Sequence, residues 1–163
     1  METVLFILFG AIAVCGAIMV VTRKHPMASA LYLILTLFAV AALFVLRQAH
    51  FLAAIQVIVY AGAVVVLFVF VIMLINIPEE KLPVEKVTGM RLLGAVIAGL
   101  LMLEAAVVAR RVGMPATPAV DVGSVQAVGR ALFTDYLFAF EITSILLLAA
   151  VIGAIALAKR KAS

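Results

Sequence analysis

The chain has 163 residues, 68% of them hydrophobic and 12% charged, with a formal net charge of +4. Soluble domains sit at about 45–50% apolar and about 25% charged, so this composition excludes a water-soluble globular domain and defines an integral membrane protein. The basic residues are scattered through short connections and the C-terminal tail, which excludes a nucleic-acid surface built from a basic patch.

Five apolar runs follow in chain order. The first spans about 4–22 and ends at Arg23-Lys24-His25-Pro26. The second covers 27–46, with Pro26 at the helix start, where its missing N–H is no loss. Arg47 to His50 reads as a tight turn. The third, 51–77, holds no Asp, Glu, Lys, Arg or Pro. As a helix it would reach ~40 Å, more than the ~30 Å hydrocarbon core. A charged loop comes next, with Glu79, Glu80, Lys81, Glu85 and Lys86. The fourth run is about 92–109, and the fifth about 136–158, closed by Lys159-Arg160-Lys161. The loop between them opens with Pro115 and Pro118, then sets Val125, Val128 and Leu132 at helical spacing. That spacing predicts either a short helix in the membrane interface or a simple connector. The expected fold is all-α: one membrane domain over 1–163, a bundle of five transmembrane helices.

An odd number of spans puts the two ends on opposite sides. With the N-terminus out, Arg23, Lys24, Lys81, Lys86, Arg91, Lys159, Arg160 and Lys161 lie inside, and only Arg47, Arg110, Arg111 and Arg130 lie outside. Positive residues favour the inner side, so the reading is N-terminus out and C-terminus in. Cys15 is the single cysteine. It excludes a disulfide framework or CxxC motif, and inside an apolar run it reads as a packed thiol. Val14 is too bulky for a lipoprotein cleavage box and no basic residues precede the first run. The N-terminus therefore reads as a retained span.

Polar residues at lipid depth are costly and point to function. Glu104 lies shortly before Arg110, Glu141 early in the fifth run, and Gln56 early in the third. All fall at one depth in the outer half of the bilayer. Facing one another or a partner's acids, they would form part of a proton-conducting layer. The plainer readings are that Glu104 snorkels to headgroups and Gln56 hydrogen-bonds a neighbouring helix. Glu141, deeper in an apolar context, reads as buried and partnered. Tyr60 follows Gln56 by one helical turn, beside Ala61, Gly62 and Ala63. An over-long span with glycine at its centre is a candidate for a kink or a local π-bulge, with Tyr60, Ala61, Gly62 and Ala63 as the hinge. Tight packing explains the small residues equally well. The pairs Ala13/Ala17, Ala95/Gly99, Ala149/Gly153 and Ala150/Ala154 read as packing surfaces. His25 and His50, at span ends, read as capping or headgroup contacts. With no Lys, Asp or His at mid-bilayer, the chain has too few ionisable groups to transport ions alone and reads as one part of a larger assembly.

The segments His25-Pro-Met-Ala-Ser-Ala-Leu-Tyr-Leu33, Phe51-Leu-Ala-Ala-Ile-Gln-Val-Ile-Val-Tyr-Ala-Gly-Ala63 and Phe140-Glu-Ile-Thr-Ser144 resemble subunit J of bacterial NADH–quinone oxidoreductase (respiratory complex I), the counterpart of mitochondrial subunit 6. The resemblance implies a non-redox membrane-arm subunit in the bacterial inner membrane, packed with subunits A, H and K near the quinone junction. NADH, FMN, iron–sulfur clusters and quinone would be used by other subunits, with no cofactor on this chain. It also implies a π-bulge near Tyr60 to Gly62 that switches to regular helix and couples quinone chemistry to proton movement. Glu141 matches the acid in the family's fifth span. Gln56 stands where some members carry Glu, and an amide cannot release a proton. The competing reading is a membrane subunit of a multisubunit cation/proton antiporter.

Overall fold

A computed structural model describes residues 1–75, 88–112 and 123–159. The charged loop Glu79–Lys86, the prolines at 115 and 118, and Arg160 and Lys161 lie outside them. Every regular element among the described residues is helical: α1 (Glu2–Thr22), α2 (Pro26–Leu46), α3 (His50–Ile75), α4 (Thr88–Val112), α5 (Val125–Phe133) and α6 (Leu137–Ala158). By length and composition α1, α2, α3 and α6 can each cross a bilayer, and α4 carries an apolar stretch over Leu92–Val108. The five expected spans are thus present, with α5 as the short helix between the last two.

Local chemistry sets the helix ends. Pro26 occupies the first turn of α2, after His25 as N-cap. The α2 terminus closes through Gln48 N–H to the Val45 carbonyl (2.9 Å) and Ala49 N–H to the Phe44 carbonyl (2.9 Å). Gln48 takes φ 60°, so this is a Schellman closure with glutamine in the left-handed position usually given to glycine. The turn occupies only Arg47 to Ala49, and Gln48 Oε1 lies 3.2 Å from His50 Nε2. Ser124 caps α5, its hydroxyl accepting from the Ala127 N–H at 3.2 Å.

Helix α2 is the middle of a three-helix unit, packed against α1 on one side and along the length of α3 on the other. The contacts are made by small residues. Buried positions are Gly16 on α1, Ala30, Ala39 and Ala41 on α2, and Ala53, Ala61 and Val65 on α3. In lipid the hydrophobic effect does not distinguish one apolar face from another, so helices associate where small side chains allow close approach. A Cβ on Gly16 would collide with Thr36 Oγ1. That hydroxyl is fixed by its own bond to the Tyr32 carbonyl (2.8 Å). Ser29 Oγ donates across the interface to the Val20 carbonyl at 2.6 Å. At the same end the Arg23 guanidinium stands 5.3 Å from the Tyr32 ring centroid, a cation–π contact.

The expected pairs Ala13/Ala17, Ala95/Gly99, Ala149/Gly153 and Ala150/Ala154 are not the surfaces used within the chain. Ala17, Ala95, Gly99, Ala149, Ala150 and Ala154 are all exposed. The thiol of Cys15, expected to be packed, is exposed as well, because its neighbour Gly16 takes the inward position. Helix α4 makes no extensive contact with another described element, and among those elements α6 packs extensively with α5 alone. The chain exposes 13802 Å², whereas a compact soluble fold of its mass would expose roughly 7,800 Å².

Candidate functional site: the widened turn of the third helix

The third helix is regular over His50–Ile55, becomes a π-helix over Gln56–Val64, and returns to regular form over Val65–Ile75. In the widened stretch each N–H reaches back five residues instead of four. The bond from Val65 N–H to the Tyr60 carbonyl is of this kind. Most π-turns are single-turn insertions in a longer helix and mark functional sites; this one covers nine residues.

Gly62 shows why the sequence tolerates it. A Cβ there would stand 3.2 Å from the Val57 carbonyl oxygen, five residues back. In the wide turn a Cβ at 62 would press on that carbonyl, which would have to shift by a few tenths of an ångström, and glycine removes the contact. The stretch is held on one side only. Ala61 is 7% exposed and Val65, where the regular helix resumes, is 2% exposed. Tyr60 is 52% exposed, and Gly62 and Ala63 are also open. Gln56, the first residue of the widened stretch, is half-buried. The hinge residues named from the sequence therefore all lie inside the π segment, which extends four residues further toward the N-terminus, to Gln56, and one residue further at the other end.

The remaining polar candidates sit elsewhere. Glu104 is exposed on α4 and Glu141 is exposed on α6. Gln56, Glu104 and Glu141 thus occupy three different helices, and neither α4 nor α6 makes extensive contact with α3. Beside Glu141, the Ser144 hydroxyl donates to the Glu141 carbonyl (2.7 Å) and the Thr143 hydroxyl to the Phe140 carbonyl (2.8 Å). Both hydroxyls are satisfied by their own helix. No group of three His, Cys, Asp or Glu side chains among the described residues could hold a metal ion. Two features escaped the sequence reading: the Gly16–Thr36 seat and the Ser29–Val20 bond. A lone glycine, or a serine one turn after a proline, carries no distinguishing pattern in an apolar run.

A self-packed three-helix unit with a π-turn, joined to apolar helices that make no extensive contact with it among the described residues, defines a multi-pass membrane subunit. Comparison with known sequences gives the family. The profile of NADH-ubiquinone/plastoquinone oxidoreductase chain 6 matches residues 16–157, and the chain belongs to that family. Its relatives include NADH-quinone oxidoreductase subunit J of Rhodobacter capsulatus, 39% identical, with 95% of this chain and 80% of the relative aligned. Subunit J of Escherichia coli K12 is 36% identical over 91% of this chain and 82% of its own length. NAD(P)H-quinone oxidoreductase chain 6 of Leptolyngbya boryana is 38% identical over 98% and 81%.

Proposed function

We propose that the chain is a non-redox membrane-arm subunit of a proton-translocating NADH–quinone oxidoreductase, and that α3 couples quinone reduction to proton movement by converting its π segment to regular helix. Family membership supports the assembly. The observation that supports the coupling role is the π segment itself, with Gly62 against the Val57 carbonyl and only one side packed. A stretch held at Ala61 and Val65 but open at Tyr60, Gly62 and Ala63 can change its hydrogen-bond register with little repacking. Conversion turns the helix beyond it and moves Tyr60 relative to Gln56.

In this reading the chain binds no cofactor. NADH, FMN, iron–sulfur clusters and quinone are handled by other subunits, and subunits A, H and K cover the bare helices. The membrane is the bacterial inner membrane. Glu141 supplies a carboxyl to a proton path completed by a partner chain, since neither of the other polar candidates, Gln56 and Glu104, lies on a helix that packs extensively against α6 among the described residues. Glu104 and Gln56 contribute polar contacts at similar depth.

The test is Gly62→Val in the intact complex. A branched side chain at 62 meets the Val57 carbonyl and biases the helix away from its wide form. Proton pumping linked to quinone reduction should fall severalfold, while electron transfer from NADH to a soluble acceptor persists. An assembled variant that pumps as the parent does would refute the coupling role and leave family membership intact. Co-isolation with antiporter subunits, without flavin and iron–sulfur proteins, would overturn the assembly.

A further inference from the structure

Helix α5 and the start of α6 form a corner whose depth in the membrane is fixed at both ends. At one end, Gly123 rests on the α2–α3 turn. A Cβ on it would stand 2.7 Å from Ala49 Cα and 3.0 Å from the Gln48 carbonyl oxygen. That turn joins two membrane spans, so it lies at a bilayer surface. At the other end, α5 runs through Thr134 to Tyr136 directly into α6, another span. The corner is closed by Tyr136 N–H to the Ala131 carbonyl (2.9 Å) and Thr134 Oγ1 to the Arg130 carbonyl (2.9 Å). A helix of nine residues is ~14 Å long. With both ends at the same surface, it lies flat along it.

Its two faces suit that position. Val128, Ala131 and Leu132 share one side and are half-buried, whereas Gln126, Arg130 and Phe133, spaced i, i+4 and i+7, share the other and are exposed. The corner itself carries an aromatic cluster. Phe133 packs edge-on against Phe140 with centroids 5.3 Å apart, yet Phe133 stays 65% exposed, Tyr136 62% and Phe138 75%. A tyrosine such as Tyr136 at the mouth of a span is typical of the interfacial belt of membrane proteins, its ring apolar and its hydroxyl wet. The charge of Arg130 complements the phosphodiester of a lipid headgroup.

We propose that α5 is a membrane-surface helix. It lies in the headgroup layer with Tyr136 and Phe138, at the start of α6, at the headgroup–acyl boundary, and Gln126 and Arg130 toward water and lipid phosphate. The occupant of this surface is phospholipid, because the α2–α3 turn under Gly123 and the start of α6 both lie at a bilayer surface. The inference is independent of the coupling role of α3.

The test uses the intact complex reconstituted in phosphatidylcholine vesicles, with a bimane fluorophore on Phe138→Cys or Gln126→Cys and the labelled parent as background. Retained NADH–quinone activity verifies assembly of each variant. Nitroxide at the headgroup or upper acyl chain should quench the label at 138 at least about twofold more than nitroxide near the acyl end. Aqueous iodide should quench the label at 126 more than that at 138. Quenching at 138 by iodide alone would place the corner in water and overturn the proposal. Deep quenching would overturn it by placing the corner inside the bilayer. Quenching by neither lipid nor iodide would mean that another subunit covers the corner, and would overturn it too.

Discussion

The two parts of this chain solve the same problem differently. Helices α1 to α3 bury small residues against one another and add cross-helix polar contacts at Ser29 and Arg23. Helix α6 is as apolar and α4 carries an apolar stretch over Leu92–Val108, yet α6 has no buried residue and the glycines at 94 and 99 on α4 face open space. Hydrophobicity alone therefore does not bring spans together. Close packing does, and among the described residues it is the first three helices that achieve it by themselves. The functional candidate, the π segment, lies in the self-packed part. The acids Glu104 and Glu141 lie in the part without internal neighbours.

The widest separation between the two parts should come from glycine substitutions. Gly62→Val is expected to abolish most quinone-linked pumping with the soluble-acceptor reaction intact, measured in vesicles as proton uptake per NADH oxidised. Gly16→Val comes next. Its side chain collides with Thr36, and overpacking of this kind costs about 1–3 kcal/mol. The chain expressed alone in membranes should lose protease resistance in α1 and α2. Gly99→Val should leave that resistance unchanged, because nothing lies near it within the chain. Equal sensitivity at both positions would break the comparison. Ser29→Ala removes one interhelical hydrogen bond, an effect of about 0.6 kcal/mol, seen as a modest drop in α1–α2 association by energy transfer. Smallest of all, Gln48→Gly relieves the left-handed strain at the α2 terminus and should stabilise the turn by up to about 1 kcal/mol. The lost Gln48–His50 contact reduces that gain, and a decrease in thermal stability would show that the contact outweighs the strain.

Hydropathy made the spans legible. The ends of α2, α4 and α6 fall within a few residues of the readings 27–46, 92–109 and 136–158, because charged and proline residues mark where lipid ends. The short helix at Val125–Phe133 was legible from Val125, Val128 and Leu132, since in a loop a periodic apolar pattern still has a polar background to stand against. Which face of each long helix turns inward was not legible. Every face is apolar, so Gly16 could not be told from Ala13 or Ala17. The site was legible in part. Glycine at the centre of an over-long run pointed to Tyr60 through Ala63, but a π-turn extends by backbone register, and nothing in the side chains at 56 to 59 marks where it begins. The left-handed Gln48 also carried no signal, since glutamine has no preference for that conformation.

The bare flanks of α4 have a consequence for the life of the protein in the cell. A newly inserted copy that meets no other subunit keeps a polar carboxyl, Glu104, and glycines without neighbours on α4, and a chain left unpacked in this way is open to triage by cellular proteases. Surplus copies should therefore be short-lived, and their turnover should fall as the remaining subunits are supplied. The half-life of this one polypeptide becomes a gauge of how far the whole enzyme has been put together.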